Sequence, residues 1–395
     1  MECTRRELWQ VGMASAILAT PSIGKTPVQP TAQSDAAAMS SERRLLTDMI
    51  SGLRWSQMLS VAARLRAADR LGAGPLPIRT LAEATGSHED ALYRVLRALA
   101  SRGVFAEDPD RRFRLTPAAE LLRSDVPGSL RLTAHVMGED WYWNAWGALS
   151  HTVATGETAF DHVFGQNTWD WFAAHPTSGA LFNAFQTEGT LASTEAVLGA
   201  YDFGRYPVIA DVGGGEGMLL SAILARHPDA RAMLFDLPHV IADARRRVPG
   251  DVATRVEFVA GDFFRAVPPG ADLYVLKFII HDWPDARALE ILGSCRRAMK
   301  RDAVLLLADQ VVCGRNEPCE SKSSDVAMMV RNGGRNRTEP EYRALLDSAG
   351  FSVAHVATTS RGLGLFTAVR KEPDDGTPMA RAHAVTGSAN QAEAP

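Results

Sequence analysis

The chain has 395 residues, about two domains' worth at ~100–200 residues each, and 46% of them are apolar, enough to bury a sizeable core. Its formal net charge of -4 argues against a nucleic-acid partner held on a broad basic surface. The four cysteines, Cys3, Cys295, Cys313 and Cys319, form no C-x-x-C pair, so a zinc ribbon or thioredoxin-type site is not expected; a fold independent of disulfides, without metal, fits a reducing cytoplasm.

In chain order, Arg5 and Arg6 precede the apolar run Val11 to Ala19. The run loosely resembles a signal-peptide core but is interrupted in its flanks by Glu7, and it is far too short to span a bilayer. Residues 20–42 are rich in Pro, Ser, Thr, Gln and Ala, so residues 1–42 read as a disordered extension. Met39 is an alternative start.

A helical domain is expected over 43–200. Met49, Leu53, Met58, Val61, Ala62, Leu65 and Leu71 recur at helical spacing. Residues 80–100 read as helix, turn at Gly86-Ser87 and helix. Gly103–Glu107 and Arg112–Thr116 read as two strands around an Asp-Pro-Asp turn. This is a winged-helix outline, compatible with a DNA-binding regulator or with a dimerisation platform. The second helix carries Glu89 and Asp90 beside Arg94 and Arg97, a weak phosphate footprint that favours the platform. Residues 130–190 are helical and aromatic, holding Trp141, Trp143, Trp146, Trp169 and Trp171. Most such rings belong to a core; Trp141, Trp146 and Phe160 are the candidates for a flat apolar ligand cavity.

From 201 to 371 the pattern alternates. Short apolar strands at Pro207–Asp211, Ala232–Asp236, Val256–Ala260, Ala271–Phe278 and Ala303–Asp309 are interleaved with helices. That alternation predicts a mostly parallel α/β sheet of Rossmann-like type with helices on both faces. Residues 372–395 read as a loose tail.

Asp211-Val-Gly-Gly-Gly-Glu-Gly217 lies after a strand and before a helix, where glycines let backbone approach a ligand. A dinucleotide G-x-G-x-x-G fails, since from Gly213 the third glycine position is Met218, and Glu216 would oppose a pyrophosphate. A ligand without phosphate and with a cationic sulfonium, S-adenosylmethionine, tolerates an acidic loop. Asp236 ends the second strand, where an acid can accept both ribose hydroxyls. Asp262 follows the third strand, positioned for an adenine amino group with Phe263 on the ring. His281 leaves the fourth strand toward the same rim, and an unperturbed imidazole, with a pKa near about 6.5, suits proton abstraction.

With these motifs the chain, over about 45–371, resembles the plant caffeate-type and bacterial small-molecule O-methyltransferases that tailor polyketides and phenazines. The markers are Asp211-Val-Gly-Gly-Gly, Phe235-Asp-Leu-Pro-His239, Gly261-Asp-Phe-Phe264, Leu276-Lys through His281-Asp-Trp283, and Asn332-Gly-Gly-Arg-Asn-Arg-Thr-Glu339. The resemblance implies S-adenosylmethionine bound by Asp211, Gly213, Gly215, Asp236, Leu237, Asp262, Phe263 and Lys277, with S-adenosylhomocysteine as product. It implies His281 as general base, held by Asp309 and Glu339, and Met328, Asn332 and Asp282 near an aromatic acceptor. Asp309 stands where many members have glutamate, and its shorter arm puts its reach to His281 in question. A homodimer through the N-terminal domain is also implied, with neither nucleic acid nor membrane as partner. Some relatives keep the cofactor but decarboxylate or hydroxylate, which leaves a second reading.

Overall fold

The computed structural model describes residues 41–371. Of the two segments expected to be disordered, all but Ser41 and Glu42 lie outside the described residues, and those two open a helix. Two compact units divide the chain, one up to Gly52 and one from Leu53. In the first, the opening turns of α1 (Ser41–Arg64) carry Leu45, Leu46, Met49 and Ile50, all exposed.

In the second unit, α2 (Ala67–Leu71), α3 (Ile78–Thr85) and α4 (Glu89–Ala100) bury Leu71, Ile78, Leu81, Leu92, Leu96 and Leu99 in one core. Gly86 ends α3 in the left-handed region, accepting the turn between α3 and α4. Three short strands, β1 (Leu76–Pro77), β2 (Phe105–Asp108) and β3 (Arg112–Leu115), form a sheet in the order β1-β3-β2. Helix, turn, helix and hairpin therefore occur as the residue pattern predicts, with β1 as an unforeseen third strand.

A run of helices follows: α5 (Pro117–Glu120), α6 (Arg131–Val136), α7 (Asp140–Gly147), α8 (Leu149–Thr155), α9 (Ala159–Phe164), α10 (Thr168–Ala174) and the long α11 (Pro176–Ala200). Their aromatic side chains pack on one another. Trp141 meets Phe172 edge-on with centroids 5.0 Å apart, and Phe172 stacks on Phe182 at 4.6 Å. Contacts of this kind add about 0.5–1.5 kcal/mol per pair beyond burial.

The larger sheet has seven strands in the order β6-β5-β4-β7-β8-β10-β9. Strands β4 (Val208–Val212), β5 (Arg231–Asp236), β6 (Val256–Ala260), β7 (Leu273–Lys277) and β8 (Val304–Gln310) are parallel. Helices α12 (Met218–Arg226), α13 (Pro238–Arg247), α14 (Gly250–Ala253) and α15 (Asp285–Ala298) connect them. Separate apolar cores form, one around Leu276, Leu307 and Phe366 and another around Leu234, Val275 and Leu306, because residues alternate between the two faces of each strand. Beyond the fifth parallel strand come α16 (Glu320–Arg331), α17 (Glu339–Ser348) and a hairpin of β9 (Phe351–Thr358) and β10 (Leu363–Arg370), with β10 inserted antiparallel beside β8. The strand order reverses between β4 and β7, and in such sheets ligands bind at the carboxyl ends beside that switch. A disulfide joins Cys313 and Cys319 in the β8–α16 connection, a pairing not expected from the cysteine spacing, in a fold read as independent of disulfides.

Candidate active site

The glycine loop leaves β4 at the switch point. Gly213, Gly215 and Gly217 all have positive φ, at 72°, 58° and 79°, which L side chains rarely adopt. A Cβ at Gly215 would meet nothing within 4 Å, whereas one at Gly213 would strike Ile279 at 2.5 Å. The loop is thus tightly seated on the β7 side and open at its tip. Asp236, at the end of β5, accepts the Gly215 N–H at 2.9 Å and the Leu237 N–H at 2.7 Å. Asp262 accepts from the Phe264 N–H at 2.9 Å, and Phe263 packs edge-on against Trp283. Glu216 is turned to Arg247 at 3.1 Å and takes the Thr187 hydroxyl at 3.0 Å.

The rim's electrostatics are those of a cation site. Burial pushes Asp211 up to about 7, with Lys277 opposing and Asp236 adding to the rise. Burial also raises Asp236 and pulls Lys277 down to about 8, the latter against the pull of Asp211 and Asp309. The carboxyls of Asp211, Asp236 and Asp262 around an open glycine tip, with Lys277 as their cationic neighbour, suit a positively charged ligand and disfavour a pyrophosphate.

His281 lies in a single 3-10 turn, Ile280–Asp282, just past β7. Between strand and turn, Phe278 adopts φ 57°, a left-handed conformation uncommon for a bulky residue. Its ring lies under the Lys277 ammonium at 4.0 Å and stacks with the His281 imidazole at 5.5 Å. The imidazole is buried. Its Nδ1 is 3.1 Å from Asp309 Oδ1 and 3.2 Å from Asn336 Oδ1, and the backbone N–H of His281 donates to Asp309 Oδ2 at 3.0 Å. The short Asp309 arm therefore does reach the ring. Asn336 Nδ2 donates to Gln310 Oε1 and the Ser321 carbonyl, which assigns its oxygen to the histidine. Two acceptors at Nδ1 fix the proton there and leave Nε2 with its lone pair. Nε2 faces Asp282 Oδ1 at 3.7 Å. Burial raises Asp309, with the His281 charge acting the other way.

Glu339, expected against His281, is not its partner in this geometry: as the first residue of α17 it pairs with Arg343 at 2.8 Å. Asn336, three residues earlier in the same motif, takes the place beside the ring. The segment before the α17 cap lies along the end of β8, with the Val312 N–H donating to the Arg337 carbonyl, whereas a first-turn side chain follows its own helix. Arg337 was also missed. It is 1% exposed, bonds the carbonyls of Ile280 and Trp283 at 3.2 and 3.0 Å, and pairs with Asp285 at 2.7 Å. It clamps both ends of the His281 turn. Gly334 comes so close that a Cβ would lie 2.2 Å from the His281 carbonyl oxygen.

Asn332 donates to Asp282 Oδ1 at 2.7 Å, and Met328 is buried with its sulfur 3.6 Å from Arg331. Trp141 and Phe160, expected at a ligand, are 2% and 0% exposed and sit inside the aromatic cluster. Trp146 is partly exposed next to Tyr142. Trp169 stacks on Trp283 at 6.2 Å, linking the helical cluster to the rim.

A Rossmann-like sheet with an acidic, glycine-rich rim and a histidine beside it defines an S-adenosylmethionine-dependent methyltransferase. The O-methyltransferase domain profile matches residues 146–352, and the O-methyltransferase dimerisation domain profile matches 47–125. The chain belongs to this O-methyltransferase family. It is 42% identical to the phenazine O-methyltransferase of Lysobacter antibioticus, over 82% of this chain and 95% of that one. It is 31% identical to the phenazine-1-carboxylate N-methyltransferase of Pseudomonas aeruginosa, over 83% and 97%. The structure of a mitomycin 7-O-methyltransferase superposes with a TM-score of 0.80 at 34% identity, covering 85% of this chain and 99% of that one. An O-methyltransferase from neocarzinostatin biosynthesis, solved with S-adenosylmethionine and 2-hydroxy-5-methyl naphthoic acid, gives 0.70 at 29%, covering 80% and 95%. Among the described residues no helix is long and apolar enough to cross a membrane.

Proposed function

We propose that this methyltransferase acts on oxygen, methylating a phenolic hydroxyl of an aromatic small molecule in secondary metabolism, with His281 as general base. Relatives divide between O- and N-methylation, and the observation that carries the oxygen reading is the pair of acceptors, Asp309 and Asn336, on Nδ1 of a buried histidine. That pairing directs an unprotonated Nε2 toward the acceptor, which a phenol needs and an amine with its own lone pair does not.

Bound S-adenosylmethionine supplies a methyl group already activated by its sulfonium. Asp211, Gly213, Gly215, Asp236, Leu237, Asp262, Phe263 and Lys277 would hold it on the rim. Met328, Asn332 and Asp282, with Trp146 on the aromatic side, would orient the acceptor, and orientation of reacting groups can lower a barrier by up to about 7–11 kcal/mol. His281 takes the phenolic proton at Nε2, and Asp309 stabilises the imidazolium formed. A phenol, with a pKa near about 10, gives up its proton far more readily than an aliphatic alcohol. Assembly through the dimerisation domain into a homodimer completes the reading, supported by the exposed apolar residues of α1.

The test is methyl transfer from labelled cofactor to a panel of hydroxyarenes and matched arylamines. Production of S-adenosylhomocysteine with the phenols is expected. His281→Ala should lower kcat by about 10²–10⁴-fold, the usual share of general base catalysis, with cofactor affinity nearly unchanged. Full kcat in the variant, or transfer confined to amines, would overturn the assignment.

A further inference from the structure

Arg331 ends α16 inside the site and is used by nothing described so far. Its side chain is 11% exposed, yet its hydrogen bonding is poor for a buried guanidinium. Nη2 makes one contact of 3.2 Å to Asp282 Oδ1 and one of 3.6 Å to the Met328 sulfur. Nε is buried without any partner. Cζ lies 5.1 Å from the centroid of Phe182, which belongs to the aromatic cluster. A buried donor left without an acceptor carries a desolvation cost, and native chains rarely keep one without a reason such as a ligand. A structural arginine in this same site shows the contrast. Arg337, more enclosed still, spends its donors on Asp285 and three carbonyls.

The position of Arg331 specifies what would satisfy it. The Asp282 oxygen that it touches is also the one facing Nε2 of His281, so guanidinium and base are separated by a single carboxylate oxygen. One aromatic ring can therefore address both. Asp282 is already committed to the Asn332 amide at 2.7 Å, which leaves Arg331 with the weaker share of its charge. The Phe182 ring on one side and an under-used planar cation on the other suit a flat arene with an anionic substituent.

We propose that Arg331 is the specificity-determining residue for an aromatic hydroxy acid, binding the carboxylate of the ring whose hydroxyl meets His281. The inference rests on the phenol-methylation reading and narrows it to a substrate class. It requires that the carboxylate and the reacting hydroxyl share one fused or single ring system.

Binding to the protein saturated with S-adenosylhomocysteine tests it without any turnover. Quenching of tryptophan fluorescence is titrated with 1-hydroxy-2-naphthoate, its neutral amide 1-hydroxy-2-naphthamide, and 1-naphthol. The acid should bind at least tenfold tighter than either neutral compound, as charge-assisted hydrogen bonds provide. Arg331→Gln should reduce that preference to within about threefold, mainly through loss of the acid, and Arg331→Lys should restore part of it. Retained S-adenosylhomocysteine affinity shows that each variant is folded. If the parent binds amide or naphthol as tightly as the acid, or if Arg331→Gln preserves the preference, Arg331 does not select an anion and the proposal falls. Methylation of the same three compounds is scored separately. Transfer to 1-naphthol without an acid preference in binding would sink this inference alone. An acid preference without transfer to any oxygen would instead sink the phenol reading.

Discussion

At the scale of single residues, the site places ionisable groups where burial works against their charge. Asp211 is the clearest case, raised to about 7 by burial against the pull of Lys277. An acid whose folded value lies above its unfolded one contributes stability that is whole at low pH and is lost as pH rises toward that folded value. Asp211→Asn removes the loss. In the absence of ligand, its melting temperature should exceed the parent's most above pH 7, with the difference shrinking toward pH 4; scanning calorimetry at several pH values checks this, and a constant difference would refute it. Cofactor affinity of the parent should strengthen as pH rises through about 7, since an ionised Asp211 favours a cationic ligand, and in the variant this dependence should flatten.

Elements place those residues, and here the sequence was unevenly informative. Strands β4 to β8 were legible because each is a short, mostly apolar run bounded by turn residues, and β4, β7 and β8 are buried on both faces. Their carboxyl ends place Asp211, Asp236, Asp262 and His281 on one rim, which the strand pattern predicts, while Lys277 entered through the family resemblance. The β9–β10 hairpin was not read, because β9 mixes exposed and half-buried positions along Phe351–Thr358 and gives no clean alternation. The histidine's second partner was misplaced by three residues for a different reason. Asn336 and Glu339 occupy one motif, an acid is the obvious companion for an imidazole, and only the helix start at Thr338 decides which side chain turns inward. The Cys313–Cys319 pair has no spacing signature of its own. The same segment allows a sharp test. Gly334 fills the gap against the His281 carbonyl, so Gly334→Ala must displace one backbone from the other. Overpacking of this kind costs about 1–3 kcal/mol, and kcat should fall with it while cofactor affinity is kept. A variant with parental kcat and melting temperature would show that the turn is slack.

At the scale of the whole molecule, an unexplained apolar surface among the described residues lies on α1. Met49 and Ile50 are 70% and 77% exposed, and Leu45 and Leu46 are 59% and 58% exposed. Large side chains at this spacing form one continuous stripe, and a contiguous apolar patch of this kind marks an interaction surface. The dimerisation profile begins at residue 47, so the stripe is where a second copy should bind. Met49→Glu with Ile50→Glu should convert the proposed dimer to monomer in light scattering, while the winged-helix core around Leu81 and Leu96 stays folded. A dimer of unchanged affinity would exclude α1 as the interface. The expected area, above roughly 2,000 Å² in total, is that of an obligate assembly.

The left-handed Phe278 has a bearing on engineering. By backbone geometry alone, residue 278 invites glycine, which would relieve the dihedral cost of about 1–3 kcal/mol that such conformations carry. Yet its ring lies 4.0 Å from the Lys277 ammonium and stacks with the His281 imidazole at 5.5 Å. A search for thermostable variants guided by torsion angles would therefore select, among its first substitutions, the one that lets an ammonium drift toward the base. Stability and turnover are set against each other at this position, and a sequence optimised only for survival at high temperature should abandon the phenylalanine first.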